Sequence, residues 1–166
     1  MMGRDGNISV IRIGALAAIV GVLIIIGAAI SFFIDRASRQ VPLDIELYPG
    51  AMTWGQRANS GSARTVYYQI SGEIAPEQVK DFYQQKMDQF YPADTERELR
   101  ECKRDPRDGN FNEYDEGVPN KIPYQWSCLF DRSGFQVTQF TRVNIMPGIN
   151  DTAGMTIIAY EQTWQP

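Results

Sequence analysis

An uncharged stretch of 22 residues, from Ile13 to Ile34, constrains this chain more than any other feature. As an α-helix rising about 1.5 Å per residue, it would be about 33 Å long, enough to cross a hydrocarbon core of about 30 Å. A cleaved signal peptide has a shorter apolar region, of about 7 to 15 residues, with small residues before the cleavage site. Here two phenylalanines and Ile34 occupy that position, although the sequence RAS that follows is a weak candidate site. The stretch therefore predicts a retained single membrane span.

The span divides the chain into parts with different expected surroundings. Beyond Gln40 there are 126 residues, enough for one compact domain with its own core. The expected organisation is a cytoplasmic leader at 1–12, a transmembrane helix at 13–34, a linker at 35–42 and an extracytoplasmic domain at 43–166.

The orientation of the span is not fixed by its flanking charges. Arg4 and Arg12 precede it and Arg36 and Arg39 follow it, so the positive-inside rule is tied. The chain beyond Gln40 is acidic, however, with 12 Lys and Arg against 18 Asp and Glu. This balance argues against nucleic acid as a partner. Together with a possible disulfide, it favours a cytoplasmic amino terminus and a domain on the periplasmic side of the cell membrane.

The chain has two cysteines, Cys102 and Cys128, with 25 residues between them. Closing a loop of this length would stabilise the fold by about 3 to 4 kcal/mol in the chain-entropy model. We expect a disulfide. Two unrelated buried thiols, or a reactive or metal-bound thiol, are the alternatives.

The domain alternates apolar and polar residues in several segments, which is typical of strands. The first two would form a hairpin around a polar loop, and the last three an antiparallel meander. A long polar insertion is the expected mobile or partner-facing loop. The expected elements are strands at 43–47, 64–70, 95–105, 124–131, 135–146 and 155–164, the loop at 54–63 and the insertion at 105–123.

One soluble helix is expected at 76–91. It begins with Pro76, and Glu77 and Asp81 lie near the positive end of its dipole. One face is apolar and should pack on a sheet. The whole pattern predicts an α+β fold: one N-terminal transmembrane helix, then a small domain with a twisted antiparallel sheet packed against one main helix. The residues of the apolar face are Val79, Phe82, Tyr83, Met87 and Phe90.

Two short motifs resemble a known type of domain. The sequences VPLDIELYPGA and PEQVKDFYQQKM are similar to a bacterial extracytoplasmic domain in which a Y-P-G-A strand precedes a helix with a V-x-x-F-Y pattern. This resemblance implies a membrane-anchored α+β module and supplies no functional residues. The overall layout also resembles the small single-span subunits of bacterial electron-transport assemblies such as alternative complex III. That resemblance implies an accessory subunit without a cofactor.

The sequence contains no histidine. A Ser-His-Asp or Cys-His mechanism, a histidine-ligated haem and a histidine-containing zinc site are therefore excluded. The two cysteines have neither C-x-x-C nor C-x-x-C-H spacing. We expect no catalytic residues, no metal site, no cofactor and no enzymatic activity.

The insertion carries oxygen ligands at near-alternating positions, as calcium loops do. Counting from Asp108, however, Glu113 stands where an EF-hand needs glycine, and Pro119 where it needs glutamate. A solvated loop is the better interpretation. The potential ligands are Asp108, Asn110, Asn112, Asp115 and Glu116.

Small residues form a stripe on the amino-terminal half of the span: Gly14, Ala17, Ala18 and Gly21. A four-residue spacing of small side chains lets helix backbones approach closely, although such residues are also common in membrane helices that pack against nothing. The stripe suggests a non-catalytic accessory subunit that packs against the integral membrane subunits of a larger complex within the lipid bilayer.

The alternative hypothesis is a membrane-anchored ligand-binding or sensor module. Four aromatic residues of the domain could line its site. They are Tyr67, Tyr68, Tyr124 and Trp126.

Overall fold

The structure is a computed structural model that describes residues 5–111, 122–134 and 137–165. The chain forms two compact units, Met1–Ser38 and Arg39–Pro166. Each unit has its own internal contacts.

The first unit contains one long helix, α1, from Asp5 to Ser38. Its apolar part, Arg12–Ser38, has 27 residues and a mean hydropathy of 2.8, and its side chains are exposed or partly exposed. The helix continues past both ends of the uncharged stretch. An N-terminal helix of this length and composition suggests membrane anchoring or a signal sequence.

The second unit has a six-stranded sheet and one main helix. The described residues of this unit also form two single-turn 3₁₀ helices, Arg97–Leu99 and Asn150–Thr152. The elements are β1 Met52–Ser60, β2 Ala63–Ile70, α2 Pro76–Phe90, β3 Lys103–Asp105, β4 Gln125–Asp131, β5 Gln139–Pro147 and β6 Thr156–Trp164.

The sheet has the strand order β1-β2-β6-β5-β4-β3, and every neighbouring pair is antiparallel. The predicted meander of the last three strands is confirmed. Paired residues place Tyr68, Ile158 and Ile145 side by side across the centre of the sheet. The domain is therefore an α+β fold, as the sequence predicts.

Helix α2 forms where it is predicted and packs on the sheet through the predicted face. Val79, Tyr83 and Met87 are fully buried. They lie against a core made of β2, β4, β5 and β6, in a cluster to which Phe82 and Phe90 also belong. Full burial of each large apolar side chain contributes about 1.5 to 3 kcal/mol, so this face fixes α2 on the sheet. The sheet residues of the cluster are Ile70, Cys128, Phe130, Val143, Ile145, Ile158 and Tyr160.

The predicted first strand, at 43–47, is wrong. Leu43, Ile45 and Leu47 do turn toward the core, while Asp44 and Glu46 are exposed. The backbone pairs with no strand, however, because this segment lies on the core face of the sheet, where side chains of β5 and β6 bond it. The alternation of apolar and polar residues thus indicates which side chains are buried. It does not indicate whether the backbone pairs with a strand.

The predicted loop at 54–63 is also wrong, because most of it is β1. This strand pairs with β2 from Met52↔Gln69 to Ser60↔Ala63, with two irregularities in register. A strand at the edge of a sheet need not bury an apolar row, so its polar sequence resembles a loop. The hairpin exists, with β1 as its first strand.

The charged segment 95–105, predicted as a strand, is mostly a turn. It contains the 3₁₀ helix Arg97–Leu99 and only the short strand β3. Pro106 follows β3 and cannot donate to a ladder, which ends the strand. In the insertion that follows, residues 112–121 lie outside the described part of the chain.

The extended segment 41–48, called the strap below, lies on the sheet and is held by side chains rather than by a strand. The Gln139 amide donates to the carbonyl of Val41, at 2.8 Å. The Gln162 amide donates to the carbonyl of Leu43, at 2.6 Å, and the Thr141 hydroxyl donates to the same oxygen. Buried polar groups on the sheet therefore satisfy the backbone of the strap.

Two tyrosines hold the second half of the strap. The Tyr160 hydroxyl accepts a hydrogen bond from the Ile45 N–H and donates to the Ile45 carbonyl, at 3.0 Å. The Tyr83 hydroxyl of α2 accepts from the Tyr48 N–H, at 3.3 Å. The strap is thus bonded to both the sheet and the helix.

Replacing Tyr160 by phenylalanine should destabilise the domain by about 1 to 3 kcal/mol, because both backbone groups of Ile45 lose their partner. Tyr68→Phe is the matched control, since the Tyr68 ring packs edge-on against Tyr160, at 6.2 Å between centroids, and its hydroxyl has no partner among the described residues. Urea unfolding of the full chain in mild detergent measures both. Equal losses of stability in the two variants would contradict the role of the Tyr160 hydroxyl.

The pH dependence gives a second measurement on the same variant. Burial, together with the nearby Asp44 charge, raises the pKa of Tyr160 to about 12. A raised folded-state pKa means that the stabilisation is complete below the ordinary tyrosine pKa of about 10 and is lost as the pH rises through the folded value. The stability difference between the natural chain and Tyr160→Phe should therefore be constant below pH 10 and shrink toward pH 12.

Candidate functional site

Cys102 and Cys128 form a disulfide, as predicted. It joins the residue before β3 to the middle of β4, with 4.2 Å between the Cα atoms, and both cysteines are buried. The Cys102 sulfur also lies 3.5 Å from the sulfur of Met87 in α2. The two cysteines are structural in this state and offer no free thiol for a metal or a nucleophile.

The four aromatic residues predicted to line a ligand site do not come together. Tyr67 and Tyr68 are neighbours on β2 and point to opposite faces of the sheet. Tyr124 and Trp126 belong to the β4 side, three strand spacings or about 14 Å away. The structure therefore divides the set, and only Tyr124 and Trp126 share a local environment.

That environment alternates aromatic rings with charges. The Tyr124 hydroxyl donates to a carboxylate oxygen of Glu77, at 2.7 Å. The guanidinium of Arg104 lies 4.5 Å from the centre of the Tyr124 ring, and the Lys80 ammonium lies 5.2 Å from the centre of the Trp126 ring. Cations placed over aromatic rings are attracted by the negative ring faces. The cluster thus joins the first turns of α2 to β3 and β4.

The electrostatics of this cluster favour binding over proton transfer. Partial burial acts to raise the pKa of Glu77, but the hydrogen bond from Tyr124, a backbone hydrogen bond and the Arg104 charge outweigh it and hold that pKa below its usual value. Partial burial and the same hydrogen bond raise the pKa of Tyr124 to about 12. At neutral pH the carboxylate is ionised and the phenol is neutral, so neither group is poised to exchange a proton.

The second face of the sheet carries an apolar group that we call the Trp54 patch: Met52, Trp54, Tyr67, Met146 and Ile157. Trp54 and Met52 are 55% and 59% exposed, and Trp54 packs edge-on against Tyr67. Helix α2 lies on the opposite face, so within residues 39–111, 122–134 and 137–165 no helix longer than one turn covers the patch. The sequence did not reveal this patch, because Trp54 lies in the segment predicted as a loop and Met52 lies just before it, outside every predicted strand.

The small-residue stripe on α1 lies open in this structure. Gly14, Ala17 and Ala18 are exposed and Gly21 is partly exposed. A methyl group added at either glycine would meet no atom within 4 Å. Its role as a helix-packing surface stays a prediction.

The insertion residues weighed as calcium ligands, for which a solvated loop is the prediction, fall partly outside the described residues. Asn112, Asp115 and Glu116 lie there, while Asp108 and Asn110 are described. Among the residues that the structure describes, no three His, Cys, Asp or Glu side chains are grouped to hold a metal ion.

Comparison with known proteins identifies no relative. No protein-family model, no curated protein and no solved structure matches the chain. The two resemblances drawn from the sequence motifs and the layout therefore stay predictions.

Replacing Tyr124 by phenylalanine should raise the pKa of Glu77, because the carboxylate loses a hydrogen bond that favours its charged form. Carbon NMR of the glutamate carboxyl groups during a pH titration of the full chain measures the change. A carboxylate whose folded-state pKa is lowered stabilises the fold at pH values above its unfolded-state pKa, and this stabilisation is lost on acidification. The stability of Tyr124→Phe should therefore begin to fall at a higher pH than that of the natural chain. Tyr67→Phe, on the opposite face, is the control, and an unshifted Glu77 in Tyr124→Phe would contradict the cluster.

Proposed function

We propose that this chain is a non-catalytic accessory subunit with a single transmembrane helix, which packs against and stabilises a larger membrane protein complex. The observation that carries the proposal is the apolar helix segment Arg12–Ser38, whose side chains are exposed or partly exposed. Such a surface requires an apolar environment, supplied by lipid and by partner helices. The small-residue stripe marks the face on which we expect the partner helix.

The domain adds a second surface suited to a protein partner. Methionine and aromatic side chains are enriched at protein interfaces, and both occur in the Trp54 patch. We propose that this patch contacts the extracytoplasmic part of the same complex. The disulfide is consistent with that side of the membrane, because disulfides persist in oxidising compartments. The amino terminus then lies in the cytoplasm.

The nature of the complex rests on the layout of the chain. An apolar helix followed by a modest domain resembles the small subunits of bacterial electron-transport assemblies, so we propose a quinol-oxidising complex as the partner. A sequence without histidine and with both cysteines in a disulfide supports a subunit that binds no redox cofactor itself.

A second candidate function is an anchored ligand-binding or sensor module. The observation that favours it is the cluster of Glu77, Tyr124, Arg104, Lys80 and Trp126, where charges and aromatic rings meet at a partly buried position. Such groups orient ligands in many binding sites. In this alternative the helix serves only as an anchor.

Native electrophoresis of gently solubilised membranes, followed by mass spectrometry, separates the two candidates. An accessory subunit should migrate with a large complex whose other subunits are identified in the same band. Migration as a free monomer would overturn the accessory role and favour the binding module.

Replacing both Ala17 and Gly21 by isoleucine should release the chain from its complex, because bulky side chains prevent close approach of two helix backbones. Gly27→Ile is the matched control, since Gly27 lies about 120° around the helix from Gly21. Co-purification of the partner subunits with each variant measures the effect. If the double variant retained its partners as well as the control does, helix packing at the stripe would be ruled out.

A further inference from the structure

Two adjoining cavities lie beside the turn at 97–102. The first, of about 540 Å³, lies between this turn, α2 and Trp126 of β4, and the second, of about 430 Å³, lies between the turn, β3 and Trp126. They share Glu101, Cys102 and Trp126 in their walls. We call the combined feature the Trp126 groove. The volume of each cavity falls within the range of small-molecule sites, about 300 to 1,000 Å³.

The groove concentrates positive charge in an acidic domain. Of the 12 Lys and Arg beyond Gln40, six line it, against three acids, Asp88, Glu98 and Glu101. The other residues of that part of the chain include six cations and 15 acids. Gathering like charges in a concave surface creates a local field that attracts anions. The six cations are Lys80, Arg97, Arg100, Lys103, Arg104 and Arg107.

Several of these cations have no competing partner. Arg97 makes a loose, exposed ion pair with Glu101, at 3.7 Å. Arg100, Lys103 and Arg107 form no ion pair with any residue in the described ranges. Their charged groups are therefore available to a ligand without first breaking a bond inside the protein.

The wall of the groove is held in place from two sides. The Gln84 side chain accepts from the Cys102 N–H, at 2.9 Å, and donates to the Arg100 carbonyl, at 2.8 Å. The disulfide then fixes Cys102 to β4. A segment clamped to both a helix and a strand presents its side chains from a defined backbone, which lowers the entropic cost of binding.

We propose that the Trp126 groove binds an anion of the phosphate-ester class. Arginine guanidinium groups suit tetrahedral oxyanions because they donate two parallel hydrogen bonds, and four of the six cations are arginines. The half-buried Trp126 ring offers an apolar surface to the organic part of the ligand. The phosphate belongs either to a soluble molecule or to a phospholipid headgroup. The site is independent of the accessory role and holds for either candidate function.

The test uses the full chain, labelled with ¹⁵N, in nanodiscs of uncharged lipid. The indole N–H signal of Trp126, assigned with Trp126→Phe, is followed during titration with inorganic phosphate and with glycerol phosphate. A parallel sample contains phosphatidylglycerol in the nanodisc. A saturable shift with the soluble phosphates identifies a soluble ligand, and a shift only with phosphatidylglycerol identifies a headgroup. No shift in either arm overturns the proposal.

Charge-matched variants separate the groove from a general charge effect. Replacing both Arg100 and Arg107 by glutamine should weaken binding at least about tenfold, since a hydrogen bond to a charged group contributes about 1.5 to 3 kcal/mol. Lys86→Gln with Arg142→Gln removes the same charge outside the groove and should change affinity less than about twofold. Equal weakening in both pairs would show unspecific attraction and overturn the site. Signals of the α2 core report that each variant is folded.

Discussion

The domain depends on buried side-chain amides and hydroxyls that bond the backbone of the strap. The backbone groups of a sheet form hydrogen bonds with the neighbouring strands, in the plane of the sheet. A segment that lies on the face of the sheet therefore finds no backbone partner there. Each amide and carbonyl of such a segment that leaves water must find a side chain instead. Gln139, Thr141 and Gln162 supply those partners from the core face of β5 and β6. This explains why polar residues occupy buried positions at which an apolar side chain would leave carbonyls unsatisfied.

Two segments, the strap and α2, cover the core face of the sheet, and the same hydrogen bonds hold them together. The strap covers one end of the sheet face and α2 covers the other, and Tyr83 belongs to both. Its ring packs edge-on against Phe130, at 6.5 Å between centroids, while its hydroxyl bonds the strap at Tyr48. Burial raises the pKa of Tyr83 well above its usual value, so the phenol stays neutral and keeps this bond at every physiological pH. The helix and the strap are thus joined through one side chain.

Sequence patterns predicted the elements whose burial has a clear period. The helix at 76–90 and the meander carry periodic patterns, and both form. Helix α1 was predicted instead from an uninterrupted apolar stretch, and it forms as well. The strap was predicted as a strand and most of β1 as a loop. The reason is that a period of two residues describes the alternation of side chains, and it does not say whether the backbone pairs with another strand. An edge strand such as β1 buries little, so its sequence lacks the apolar row that would reveal it.

The Trp126 groove, too, could be predicted only in part from the sequence. The charges of residues 97–107 were visible in the sequence, where acids next to them offset the basic residues. Tertiary structure adds residues from elsewhere in the chain: Lys80 comes from α2 and Trp126 from β4, which no local pattern could indicate. Glu98 and Glu101 remain in the wall of the groove. The aromatic residues grouped by type alone were divided by strand order, since β2 and β4 are not neighbours.

The shape of the Trp126 groove depends on the disulfide, and the disulfide depends on the redox state of the compartment that contains the domain. Cys102 lies between Arg100 and Lys103, so the bond to Cys128 fixes the backbone from which these two cations project. In a reducing compartment that backbone would keep the two hydrogen bonds of Gln84, which are worth about 1 kcal/mol each, and the three-residue pairing of β3 with β4. Repulsion among six gathered cations acts against such a weak restraint. An anion site of this geometry is therefore suited to an oxidising compartment, on the side of the membrane where the proposed orientation places the domain.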